Sequence, residues 1–159
     1  MLKQVSRLTG EVGYHGAGIL FYHRDKNTTR VLLGKRAIEP SLGAWSLPGG
    51  KRDTRDMKSY LKCAIRETFE EFNEHNSIRK ILTEAEIREV MNQRSEGLRL
   101  YLPPFFFWQT FVIEVPSPPS LKEWPRHNYE FSAVAWHDTK PLPPRTHFGV
   151  RYALARSGL

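Results

Sequence analysis

The sequence predicts a mixed α/β sandwich built as one domain over residues 1–159. Three observations carry that expectation. Apolar and β-branched runs alternate with helical periodicity in the order strand, strand, helix, helix, strand, strand, helix. A length of 159 residues supports one real core and leaves too little chain for two. A hydrophobic fraction of 40% beside 26% charged residues places the chain among soluble globular proteins.

Residues 16–23 carry Ile19, Leu20, Phe21 and Tyr22 and read as the first strand. Asp25-Lys26-Asn27 reads as a turn, and residues 30–35, with Val31, Leu32 and Leu33, as the hairpin partner. Pro40, Gly43, Pro48, Gly49 and Gly50 then punctuate a loop around Trp45 and Leu47. An acidic helix follows, capped by Asp56 or Ser59 and ended by Asn73. Residues 83–94 predict a second, surface helix, opened by a capping box of Thr83 and Glu86. Residues 105–115 are aromatic and β-branched and predict a buried strand. Prolines between 116 and 119 break the chain. Residues 131–136 predict another strand, 141–144 an extended connection, and 147–156 a short last helix.

The acidic helix carries the chemistry. A helix advances about 100° per residue, so Glu67, Glu70, Glu71 and Glu74 share one arc. Leu61, Ala64, Ile65, Thr68 and Phe72 fall on the other side, toward a core. Like charges at this spacing repel, and acidic groups sit badly toward a helix C-terminus. A cation removes that repulsion. Hard divalent ions take oxygen ligands, and Mg²⁺ is usually held by one or two carboxylates, waters and substrate phosphate. The pattern points to metal-assisted phosphate chemistry.

Several classes drop out. The single cysteine, Cys63, excludes an internal disulfide framework and a cysteine-based zinc site. Gly49-Gly50-Lys51 lacks the preceding glycine of a P-loop, and Arg52 stands where Ser or Thr is required. The six histidines form no H-E-x-x-H pair, so His137 and His147 are expected at the surface or in packing. No apolar run follows Lys3 and Arg7, and none is long enough to span a bilayer, so the expected location is cytoplasmic, away from membranes. A formal net charge of +7 favours anionic partners. Arg36, Lys51 and Trp45 are the candidate substrate-binding residues. Trp45, Tyr14, Tyr101 and Phe105 are candidate base-stacking rings, although aromatics more often fill cores.

Gly49-Gly50 followed by Arg66-Glu67-Thr68-Phe69-Glu70-Glu71-Phe72-Asn73 resembles the Nudix box, G-x5-E-x7-R-E-U-x-E-E-x-G-U, where U is aliphatic. The Arg66-Glu67-x-x-Glu70-Glu71 core matches outright. Two extra residues precede Arg66, Asp56 is the nearest substitute for the first Glu, Asn73 replaces the late Gly, and Thr68 and Glu74 replace aliphatic residues. The resemblance implies a Nudix-type α/β/α sandwich with a mixed central sheet. It implies Mg²⁺ or Mn²⁺ on Glu67, Glu70, Glu71 and the Gly50 carbonyl. Arg66 would pair with a box carboxylate, and either Glu67 or Glu130 would be the general base. The implied activity is hydrolysis of a diphosphate linkage in a nucleoside diphosphate derivative. The alternative is a nucleotide- or RNA-binding module without turnover. An isomerase of the same fold would need a pocket cysteine, and Cys63 on the box helix is poorly placed for that. RNA and a second copy of the chain are further candidate partners. Residues 78–104 read as an insertion that shapes the pocket.

Overall fold

The computed structural model describes residues 12–73, 87, 97–115 and 130–159. The first apolar run forms β1 (Tyr14–Arg24), and the hairpin partner is β2 (Thr29–Arg36). Between them Asp25 Oδ1 accepts from the Asn27 and Thr28 amides and the Thr28 hydroxyl, which closes the turn. The remaining strands are β3 (Trp45–Ser46), β4 (Gly49–Lys51), β5 (Leu98–Leu102), β6 (Phe106–Glu114) and β7 (Phe131–Asp138). Among the described residues the helices with both ends described are α1 (Tyr60–Thr68) and α2 (Phe148–Ser157).

All seven strands join one sheet with the path β3-β2-β1-β6-β5, while β4 pairs with β1 and β7 with β2. The sheet is mixed because β1 and β6 run parallel while the other pairs are antiparallel. Period-2 alternation divides the core into two layers. On one face Ala17, Ile19, Phe21, Leu32, Phe111 and Ile113 meet Cys63, Ala64 and Ile65 of α1. On the other, Leu20, Tyr22, Val31 and Leu33 meet Val150, Ala153 and Leu154 of α2. The expected α/β/α sandwich is the fold.

Two strands were not expected: β4 lies in the Gly-Gly stretch read as a loop, and β5 in the stretch read as an insertion. β3 falls where the resemblance to the box places a strand followed by a loop over residues 45–50. Gly-Gly is a turn signal in isolation. Here its missing side chains let β4 seat against β1 under the Trp108 indole. A Cβ on Gly18 would collide with the Leu47 side chain and the Pro48 carbonyl. Of the helix expected over 83–94 only Ile87 is described, and it is helical and buried. The proline break at 116–119 and Glu74 lie outside the described residues.

Ser59, not Asp56, caps α1: its side chain accepts from the Lys62 amide at 3.2 Å. Ser59→Ala is expected to lower stability by about 1 kcal/mol, read as a shifted urea midpoint with an unchanged slope. An unchanged midpoint would remove the cap from this account. After Thr68 the chain opens into a π turn, Phe69–Asn73. A wider turn rotates less per residue, so the carboxylate arc drawn for a regular helix does not hold through it.

Candidate active site

A cavity of about 650 Å³ opens where β1, β4, the α1 end, β5–β6 and the start of α2 meet. Its acidic wall begins with Gly50 of β4. A Cβ there would lie 2.5 Å from Glu67 Cδ, so only glycine lets the α1 carboxylate approach this backbone. Cys63 Sγ donates to the Gly50 carbonyl at 3.4 Å, and burial pushes that thiol up to about 12.

Glu67 and Glu71 line the cavity together with Glu130. Glu71 is 5% exposed and accepts from the Gly49 amide at 3.0 Å. Burial raises the Glu71 carboxyl well above the usual range, and its hydrogen bond with the Glu130 side chain adds to the shift. Burial likewise raises Glu67, against the opposing charge of Arg66. Carboxyl groups that burial holds above their usual range are suited to a cation, whose charge favours their ionised form. Among the described residues no three such side chains surround one point as a ready-made cage. One or two carboxylates, a carbonyl and ligand phosphate are nevertheless an ordinary Mg²⁺ or Mn²⁺ donor set, and Glu67, Glu71 and the Gly50 carbonyl fit it.

Glu70 was expected in that set and stands outside the cavity lining. Its side chain is 42% exposed and accepts from Arg55 and Arg66, each at 3.2 Å. Arg66 is the hub of the box. Its Nε and Nη2 donate to the two oxygens of Asp56 at 2.9 Å each. Its Nη1 reaches Glu67 at 2.8 Å, and Nη2 reaches the Lys51 carbonyl at 3.0 Å. The pairing with a box carboxylate is therefore present, but the dominant partner is Asp56, which is 1% exposed. Hydrogen bonding to Asp56 holds the Arg66 guanidinium still more firmly protonated.

Arg36 and Lys51 line the cavity as expected. Among the described residues Arg36 makes one side-chain hydrogen bond, Nε to the Pro40 carbonyl at 2.7 Å, and its terminal amines meet no acceptor among them. Trp45 does not line the cavity. It packs edge-on against His137, ring centroids 4.2 Å apart, in the α2-side core. The aromatic wall comes from other residues. Tyr14 stacks on Phe106 at 5.1 Å, and Phe106 lies parallel to Trp108 at 6.5 Å. Burial, then the Glu67 charge, pushes the Tyr14 hydroxyl up to about 12. Leu100 and Leu102 of β5, and His147 and Phe148 at the start of α2, complete the lining named here.

Sequence reading placed Phe106 and Trp108 in the core, His147 in packing or at the surface, and did not single out Phe148. Alternation along β6 does put residues 106 and 108 on one face. Nothing local says that this face borders a cavity. Tyr101 and Phe105 do not line it.

The sequence model of the NUDIX domain family matches residues 15–156. No curated protein matches the chain. Among solved structures, a MutT/nudix family protein from Enterococcus faecalis superposes with TM-score 0.57 at 16% identity, over 80% of this chain and 44% of that one. A C. elegans Ap4A hydrolase binary complex gives TM-score 0.60 at 17% identity, over 90% and 95%. A bifunctional NMN adenylyltransferase/ADP ribose pyrophosphatase from Francisella tularensis, complexed with AMP and a Mn ion, gives 0.61 at 19%, over 91% and 42%. The chain thus spans less than half the length of two of these three proteins.

Proposed function

Since the chain belongs to the NUDIX domain family, we propose that it is a metal-dependent hydrolase of a diphosphate linkage in a nucleoside diphosphate derivative. One observation carries the reading. Half-buried Glu67 and buried Glu71, both held above the usual carboxylate range, share a nucleotide-sized cavity with Arg36, Lys51 and stacked aromatic rings. Glu67, Glu71 and the Gly50 carbonyl would hold Mg²⁺ or Mn²⁺, which when bound would polarise the diphosphate and lower the pKa of water. Arg66 orients Glu67 through its 2.8 Å bond, and its charge opposes the rise that burial causes. Glu70 acts through Arg66 as a positioning residue. Glu130, at the cavity beside Glu71, is assigned the attacking water's proton. Arg36 and Lys51 neutralise phosphate charge, and the Tyr14–Phe106–Trp108 wall takes the base.

A panel of nucleoside diphosphate derivatives tests this, with Mg²⁺, Mn²⁺ or chelator present and phosphate-containing products scored. Turnover of at least one class is expected with metal and none with chelator. Ligand binding without product release across the panel would convert the reading to a binding module. Turnover undiminished by chelator would remove the metal.

A further inference from the structure

We propose that His147 forms, with Arg36, a two-donor subsite for a phosphate group of the ligand. The inference rests on the reading of the cavity as a nucleotide site. Residues 44–45 run between the two, with Arg36 paired to them on one side and His147 on the other. The Arg36 amide donates to the Ala44 carbonyl at 2.9 Å, and the His147 amide to the Trp45 carbonyl at 2.8 Å. Both side chains line the cavity.

Local chemistry fixes what His147 offers. As the N-cap of α2 its Nδ1 accepts from the Gly149 amide at 3.1 Å. A ring nitrogen that accepts carries no proton, so in the neutral ring the proton sits on Nε2. Burial and the neighbouring Arg36 charge keep this imidazole below its usual value, which favours the neutral form. Among the described residues Nε2 meets no acceptor, and neither do the terminal amines of Arg36. The cavity therefore holds a fixed neutral donor beside a forked cationic one. A group rich in acceptors and negative charge satisfies both, and on a nucleotide that group is phosphate.

Two variants separate the cap from the donor. His147→Asn keeps a good N-cap acceptor and loses the distal N–H, whereas His147→Ala loses both. The probes are ADP and adenosine, titrated by tryptophan fluorescence in chelator so that nothing turns over. Wild-type protein is expected to prefer ADP. Each variant should weaken ADP about tenfold, the factor one hydrogen bond to a charged group carries, with adenosine unchanged. The Asn variant should melt with wild type. ADP binding unaltered in both variants overturns the proposal, and so does an equal loss of adenosine, which would move the donor to the nucleoside. Wild-type protein that binds ADP no better than adenosine overturns it too. Because this readout involves no metal or turnover, its failure is distinct from failure of the hydrolase reading.

Discussion

Glu71→Gln is expected to leave the chain folded while lowering metal-dependent turnover about 10³-fold, the scale of losing a central electrostatic group in catalysis. The amide can still accept from the Gly49 N–H at 3.0 Å, so the π turn keeps its anchor. It cannot supply the negative charge that a divalent ion needs. The same substitution carries a stability signature. Glu71 is raised well above 4.5 in the folded protein, so without metal its protonated form is the stable one. That contribution is complete below the unfolded value and is lost as pH rises through the folded value. Metal-free wild type should therefore lose melting temperature toward alkaline pH more steeply than Glu71→Gln. Mn²⁺ should raise the wild-type melting temperature and leave the variant nearly unmoved. Full turnover by Glu71→Gln, or wild-type melting indifferent to Mn²⁺, would sink the assignment. Glu70→Gln should cost much less, about tenfold, because its carboxyl reaches the site only through Arg66.

The second large effect falls on stability. Asp56→Ala is expected to destabilise the fold by about 2–3 kcal/mol, the range for losing hydrogen bonds between a buried carboxylate and a charged group. Asp56 is 2% exposed at its side chain and Arg66 15%, and the two-bond geometry is matched at both oxygens. Removing the carboxylate leaves the guanidinium buried with Glu67 and Glu70 as its remaining carboxylate partners in hydrogen-bond range. The turn Thr54–Asp56 loses a second contact, since Asp56 also accepts from the Asp53 amide at 2.8 Å. Urea unfolding measures this directly. A loss below about 1 kcal/mol would mean that the pair behaves as an exposed one.

Much of this was legible in the chain, for a local reason. Strand and helix periodicity depend on neighbours within a few residues. β1, β2, β6, β7, α1 and α2 were accordingly anticipated, with ends adjusted by a few positions. The Arg66-Glu67-x-x-Glu70-Glu71 spacing is also local, and it pointed to the box helix, while Gly50 came from the family resemblance. Glu130 was named from the family resemblance, as a glutamate ahead of a strand, and it lies at the cavity.

What only packing decided is which side of each residue meets distant chain. Glu70 and Glu71 are adjacent in sequence, yet one is turned to solvent and two arginines while the other is buried against Gly49. The π turn and the seating of β4 on β1 made that choice. Trp45 and Trp108 are equally aromatic, and the strand that carries each determines which one borders the cavity. Asp56 became the anchor of Arg66 because a short turn returns it to α1. Sequence alone determined the kinds of chemistry on hand, since carboxylates, cations and rings are properties of residues. Their convergence on one cavity is a property of the fold, because burial and distance are set by segments that are remote along the chain.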